Sequence, residues 1–118
     1  MRYNENTLCG LFHAKALEHG ESQVFLMGRF DGNGDPVADF RSTTWGQTRR
    51  QSLELAAGLT ALGVKRGDKV AIFSESRPRW IIADQAIQAT GGIEVPLYPT
   101  SSQEELAYMT SDSGCRAI

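Results

Sequence analysis

"KVAIFSESRPRWIIADQAIQATGGIEVPLYP", residues 69–99, decides the fold. Its first six residues, Lys69 to Ser74, make a short run that is apolar on both faces, a pattern suited to a strand buried in a parallel sheet. Pro78 fits the first turn of a helix, where its missing N–H costs nothing. Trp80, Ile81, Ala83, Ala86 and Ile87 then continue a mostly apolar helix to Thr90. Gly91-Gly92 ends that helix, and residues 93–97 read as the next strand. A short strand, an apolar helix and a second short strand in this order specify a β-α-β crossover, the connection that parallel strands require.

Downstream, Thr100, Ser101 and Ser102 compete to cap a further helix. Gln103, Glu104 and Glu105 suit its positive N-terminal end, and two of the three registers give a Ser-x-x-Glu box. That helix presents Leu106 and Met109 and expires at Asp112-Ser113-Gly114. Residues 115–118 are extended and open a third strand. Pro96 and Pro99 suit a strand end, where ladder N–H groups are no longer needed.

Upstream, Thr44-Trp45-Gly46-Gln47 has the spacing of a capping box. The helix it opens is expected to run to Leu62, carry Leu53, Ala56, Ala57 and Thr60 along one face, and stop at Gly63. A first amphipathic helix, capped by Asn6 or Thr7, runs to His19 with Leu8, Leu11, Phe12 and Ala16 inward. Between these helices, residues 24–30 and 37–41 form a β-hairpin about the turn residues 31–36. The expected class is α/β: an N-terminal helix and β-hairpin, then a β-α-β-α-β unit of a parallel sheet. A unit this short leaves sheet edges and apolar helix faces uncovered, so the chain reads as part of a larger domain, with self-association through those surfaces as an alternative cover.

The 118 residues are 41% hydrophobic and 22% charged, with a formal net charge of -2. That is the composition of a soluble globular chain and not of a disordered one. Lys and Arg are dispersed; the nearest approach to a cluster, Arg49, Arg50, Lys65 and Arg66, reads as a solvated helix face and a turn, so no nucleic-acid partner is expected. There is neither a signal-like apolar region nor a run able to cross a bilayer, and the chain reads as cytoplasmic. Cys9 and Cys115 are expected to be reduced thiols.

Candidate chemistry is sparse. Cys9 and His13 stand four residues apart, with His19 and Cys115 as the remaining metal partners, but a structural thiol and solvated imidazoles are the preferred reading. Asp31, Asn33 and Asp35 alternate as calcium-loop ligands do, yet Pro36 and Ser42 occupy the positions that need Gly and Glu. Ser74-Glu75-Ser76-Arg77 follows a parallel strand, the edge at which open sheets bind ligands, and is read mainly as a cap for the next helix. Trp80 and Tyr98 are read as core aromatics. No phosphate loop, dinucleotide fingerprint, zinc-protease motif or nucleophile elbow is present.

The order of Thr44-Trp45, Leu59 to Val64, Gly67-Asp68-Lys69-Val70, Ser76-Arg77-Pro78 with Trp80, and Val95-Pro96-Leu97-Tyr98-Pro99-Thr100 resembles the N-terminal portion of adenylate-forming enzymes. More narrowly, it is similar to AMP-binding acyl-CoA synthetases, and the run Leu97 to Ser102 looks most like bacterial long-chain fatty acid–CoA ligases. Aryl-CoA ligases, fatty-acyl-AMP ligases and adenylation domains share the scaffold; a free-standing interaction module is the alternative from another class. The resemblance implies a parent ligase that uses fatty acid, ATP, Mg²⁺ and coenzyme A to form an acyl-adenylate and then a thioester. It implies that residues 1–118 are the N-terminal part of the AMP-binding domain. The family's phosphate loop, nucleotide motifs, Mg²⁺-site Glu and C-terminal lysine lie beyond Ile118. Catalytic, cofactor-binding and metal residues within the chain are therefore none, and the chain alone is expected to be inactive.

Overall fold

The joint between two modules is a single residue. Thr44 closes strand β2 (Phe40–Thr44) and at once caps helix α2 (Trp45–Ala61). Its Oγ1 accepts from the Gln47 N–H at 3.1 Å while its own N–H donates to Gln47 Oε1 at 3.0 Å. This is the capping box expected from the sequence. The computed structural model describes residues 4–29 and 40–118.

On the N-terminal side, helix α1 (Leu8–His19) is capped by Thr7, whose side chain accepts from the Gly10 N–H. Strand β1 (Val24–Arg29) pairs antiparallel with β2, from Val24 opposite Thr44 to Arg29 opposite Phe40, with an irregularity between Val24 and Leu26. Aromatic rings lock these pieces together. Trp45 lies 3.9 Å from Phe25, 5.1 Å from His19 and 6.2 Å from Phe12 between ring centroids. Such contacts stabilise beyond their buried area. The Trp45 and Gly46 N–H groups also donate to Gln23 and Gly20 carbonyls, so the start of α2 is fastened to the segment leaving α1.

On the C-terminal side stand β3 (Lys69–Phe73), α3 (Pro78–Ala89), β4 (Ile93–Leu97) and α4 (Gln103–Ser113). β3 and β4 are parallel, with Lys69 opposite Ile93 and Phe73 opposite Leu97. The other side of β3 meets the end of the chain. Ala71 N–H donates to the Ala117 carbonyl at 2.8 Å, and Arg116 N–H donates to the Lys69 carbonyl at 2.7 Å. The third strand expected at 115–118 is thus present as a parallel bridge from Val70 to Ala117. Val70 and Ile72 of β3 pack with Val64 and Ile87, and Leu59, Trp80, Ala83 and Ala117 close around them. Ala86 is wholly buried. At the last helix the structure selects one of the three caps: Ser102 accepts from Glu105 N–H, and Glu105 Oε2 accepts from Ser102 N–H. Gly114 ends α4 in the left-handed region at φ 67°, a conformation that favours glycine.

Several expectations are corrected. β2 runs on to Thr44 and does not stop at Arg41, because the strand continues until the capping box turns it into α2; residues 30–39, and so the turn at 31–36 and the expected strand start at 37, lie outside the described residues. α2 ends at Ala61 and α3 at Ala89, each one residue early. The inward stripe of α2 is Thr48, Ser52 and Ala56, whereas Ala57 and Thr60 are exposed. Two hydroxyls can be buried there because each is satisfied inside the helix: Thr48 Oγ1 donates to the Thr44 carbonyl and Ser52 Oγ to the Arg49 carbonyl, both at 2.8 Å. In α1, Gly10, Phe12, His13 and Ala16 face inward, and Leu8 and Leu11 outward. His13 is therefore buried, not solvated. Tyr98 is 70% exposed and is not a core residue.

Thr44→Ala is expected to lower stability by about 1 kcal/mol, read from the urea midpoint, with Thr44→Ser retaining most of it. Gly28→Ala is expected to cost about 1–3 kcal/mol, since an added Cβ would lie 2.8 Å from Pro78 Cδ. Burial, and secondarily the Arg49 guanidinium, push the His13 pKa below that of a free imidazole. The fold therefore holds the neutral ring. Its contribution is present above about pH 6.5 and is lost as pH falls through the folded-state value. Urea midpoints at pH 7.5 and 5.5 should show the wild type losing more stability than His13→Gln; equal losses would contradict this.

Candidate functional site

β3 lies between β4 and the 116–117 segment: the first crossover leaves β3 for β4 on one side, and the second leaves β4 through α4 and returns to the other side of β3, so the connections reverse direction there. Open α/β sheets bind ligands in the crevice at the carboxyl end of such a strand. Here that end carries Phe73 and Ile118, both exposed, above Leu55, Leu59 and Ile87 in a hollow of about 380 Å³. Every residue lining it is apolar. It offers packing surface and no reacting group.

Polar groups gather on the neighbouring side, where the hairpin leans over the start of α3. A cavity of about 580 Å³ lies between β1, Phe40, the loop after β3 and the first residues of α3. Gly28 permits the approach, its backbone lying directly against the Pro78 ring. The loop Ser74-Glu75-Ser76-Arg77 contributes Glu75, Ser76 and Arg77 to the lining. The expected cap is not made: Arg77 occupies the N-cap position of α3 with no side-chain bond to the helix, and Ser74 Oγ donates to the Glu75 carbonyl instead. Arg77 Nη2 is 3.8 Å from Glu75 Oε2, a loose pair whose carboxylate is largely exposed. The Nε atoms of Arg29 and Arg77 are both buried with no hydrogen-bond partner. Trp80 stands partly buried between this cavity and the aliphatic core.

A shallower hollow of about 400 Å³ at the start of α4 is lined by Tyr98, Ser101, Glu104, Glu105, Tyr108 and Met109. Elsewhere, Glu94 on β4 is paired with Asp84 on α3. Burial first, then the charge and hydrogen bond of Asp84, raise the Glu94 carboxyl above the ordinary range. Asp84 also accepts from Gln88 Nε2 at 2.8 Å. Burial and the same Asp84 push up the Cys9 thiol, which points to the Gln85 carbonyl. Cys9 is thus poor in thiolate and structural in character.

The structure does not gather the metal candidates Cys9, His13, His19 and Cys115. Cys115 Sγ contacts the Thr110 carbonyl, His19 stacks on Trp45, and His13 lies against Phe12. Among the described residues no three His, Cys, Asp or Glu side chains come together to hold an ion. Asp31, Asn33, Asp35 and Pro36 fall outside the described residues; Ser42 lies in β2. Arg50 of the basic set pairs with Glu21. The sequence reading overlooked Leu26, Met27, Gly28, Arg29 and Phe40 as lining residues. One signal was available, because a glycine inside a strand marks a close backbone approach.

The family model for AMP-binding enzymes matches residues 13–118. A long-chain-fatty-acid–CoA ligase, FadD15 of Mycobacterium bovis, is 44% identical over 70 residues, 59% of this chain and 12% of the ligase. A probable chloroplastic acyl-activating enzyme 16 of Arabidopsis thaliana is 42% identical over 73 residues, covering 61% of this chain and 10% of that protein. The N-terminal subdomain of Klebsiella oxytoca NpsA superposes with a TM-score of 0.75 at 24% identity, over 100% of this chain and 27% of that one. The chain thus spans about an eighth of the curated ligase it resembles. With its N-terminal helix, antiparallel strand pair and parallel strands in the order shared with that subdomain, the chain belongs to the AMP-binding enzyme family and carries the N-terminal fold of adenylate-forming enzymes.

Proposed function

We propose that residues 1–118 are the N-terminal part of the AMP-binding domain of a long-chain fatty acid–CoA ligase. The observation that carries this reading is the 44% identity over 70 residues to a ligase of that name, in the region that holds the ordered landmarks of the sequence. In the parent reaction a fatty carboxylate oxygen attacks the α-phosphorus of ATP and expels pyrophosphate. The coenzyme A thiolate then attacks the acyl carbon of the mixed anhydride and expels AMP. Activation is needed because a bare carboxylate is a poor acyl donor.

Within that reaction the chain's role is architectural. β3 and its flanking strands form one side of the sheet, and α2 and α3 cover a face of it. No catalytic, nucleotide-binding or metal-binding residue is assigned here. The described residues do not fit a Mg²⁺ site, since no acidic cluster is assembled. ATP, Mg²⁺ and coenzyme A are therefore assigned to the remainder of the parent enzyme. No described helix is long and apolar enough to cross a membrane, and the two free thiols accord with a reducing, cytosolic setting.

The purified 118-residue chain is expected to release no pyrophosphate from ATP in response to palmitate. Palmitate-dependent release would overturn the architectural assignment. The reading frame is expected to continue past Ile118 into a Thr/Ser/Gly-rich loop ending in Lys; a stop codon there would favour a free-standing module instead.

A further inference from the structure

Helix α4 buries none of its residues, yet one side of it is more than a solvated face. Tyr108 follows Glu104, and Met109 follows Glu105, at the i, i+4 spacing that makes helix neighbours, so each carboxylate has a tyrosine or a thioether beside it. Before the helix begins, the Ser101 N–H donates to the Tyr98 carbonyl at 3.0 Å, a turn that brings Tyr98 to the same place. Together with Ser101 these side chains line the hollow of about 400 Å³. Tyr98 is 70% and Tyr108 68% exposed, and among the described residues neither ring pairs with another aromatic. Two π-systems are thus left open. The carboxylates are open as well: Glu105 Oε2 accepts from the Ser102 N–H at 2.7 Å, and among the described residues no lysine or arginine pairs with Glu104 or Glu105.

Carboxylates beside tyrosine rings select a cation, and the walls decide which kind. A metal ion does not suit them, since among the described residues no three His, Cys, Asp or Glu side chains come together. A primary ammonium is strongly hydrated and gives up little water to a ring or a thioether. A quaternary ammonium carries its charge behind methyl groups and is drawn to aromatic faces by their quadrupole. The positive end of α4 opposes any cation with about half an elementary charge. Against it stand the two formal negative charges of Glu104 and Glu105, and the carboxylates prevail. We infer that the hollow binds a small quaternary ammonium compound, its methyl groups against Tyr98, Tyr108 and Met109 and its charge facing Glu104 and Glu105. The volume of about 400 Å³ lies within the roughly 300–1,000 Å³ of small-molecule sites. This site goes beyond the ligase reading and does not depend on it.

Choline titrated into the isotope-labelled 118-residue chain is expected to shift the amide cross-peaks of Tyr98, Ser101, Glu104, Glu105, Tyr108 and Met109 saturably, with a single dissociation constant. Its neutral carbon isostere, 3,3-dimethylbutan-1-ol, should bind at least about fivefold more weakly. Ethanolammonium, of equal charge but without the methyl groups, should bind at least about twofold more weakly. Tyr98→Leu and Tyr108→Leu should each weaken choline about two- to fivefold, whereas Tyr98→Phe and Tyr108→Phe should retain it. Glu104→Gln should weaken it by up to about fivefold. The three altered positions are exposed, so circular dichroism and urea midpoints should not change. The comparison of choline with its isostere uses the unaltered chain and stands even if a variant misfolds. Absence of a saturable shift at these residues overturns the inference, and so does equal binding of choline and its isostere, which would mean apolar adsorption only. Retention on phosphatidylcholine vesicles without any response to free choline also overturns it, because the ligand would then be a lipid surface. None of these outcomes bears on pyrophosphate release or on the reading frame.

Discussion

A hydroxyl, an amide side chain and two backbone N–H groups form the constraint on which the remaining structure depends. The reciprocal bonds between Thr44 and Gln47 leave no linker between β2 and α2. A strand direction is therefore converted into a helix direction within one peptide unit. Because Trp45 follows at once, its ring is delivered into the cluster of Phe12, Phe25 and His19. The other end of the same helix brings Leu59 to the aliphatic core around Val70 and Ile87. α2 thus belongs to two cores, one aromatic and one aliphatic, and the capping box sets the angle at which it spans them. Glu21 adds to the joint by accepting from Thr44 Oγ1 at 3.2 Å and pairing with Arg50.

Small residues make the helix layer close. The buried positions of α2 are Thr48, Ser52 and Ala56, and those of α3 include Ile82, Ala86 and Ile87. Self-satisfied hydroxyls let α2 turn a narrow face inward without stranding polar atoms. The same economy is absent on the opposite side of the molecule, where α4 buries no residue at all. That contrast separates a close-packed helix layer, α2 and α3, from a helix that covers little of the sheet.

Much of this was legible in the residues themselves. Pro78 at a helix start, Gly91-Gly92 at its end and a β-rich run on either side leave little choice but a β-α-β unit; the register of Lys69 with Ile93 comes from the structure alone. The capping boxes were readable because their chemistry is local. What escaped was non-local. The inward face of α2 was read only at Ala56, because hydrophobicity favoured Leu53 and Ala57, while the deciding fact was the fit of Thr48 and Ser52 in a close-packed layer. His13 was similarly disguised, since an imidazole on an amphipathic helix usually prefers water. The cavity could not be found from the 74–77 loop alone, because half of its lining comes from a hairpin about fifty residues earlier that only Gly28 betrays.

The bridge from Val70 to Ala117 carries a temporal consequence. β3 lies in the middle of its sheet, yet the segment that pairs its second side is made 47 residues later. At roughly 5–20 residues per second, translation leaves that side bare for about 2 to 9 s. During this interval the Lys69 carbonyl and the Ala71 N–H have no partner from the 116–117 segment and form an open edge, the kind that recruits foreign strands. The pace at which residues 90–117 follow β3 therefore sets how long that edge stays open.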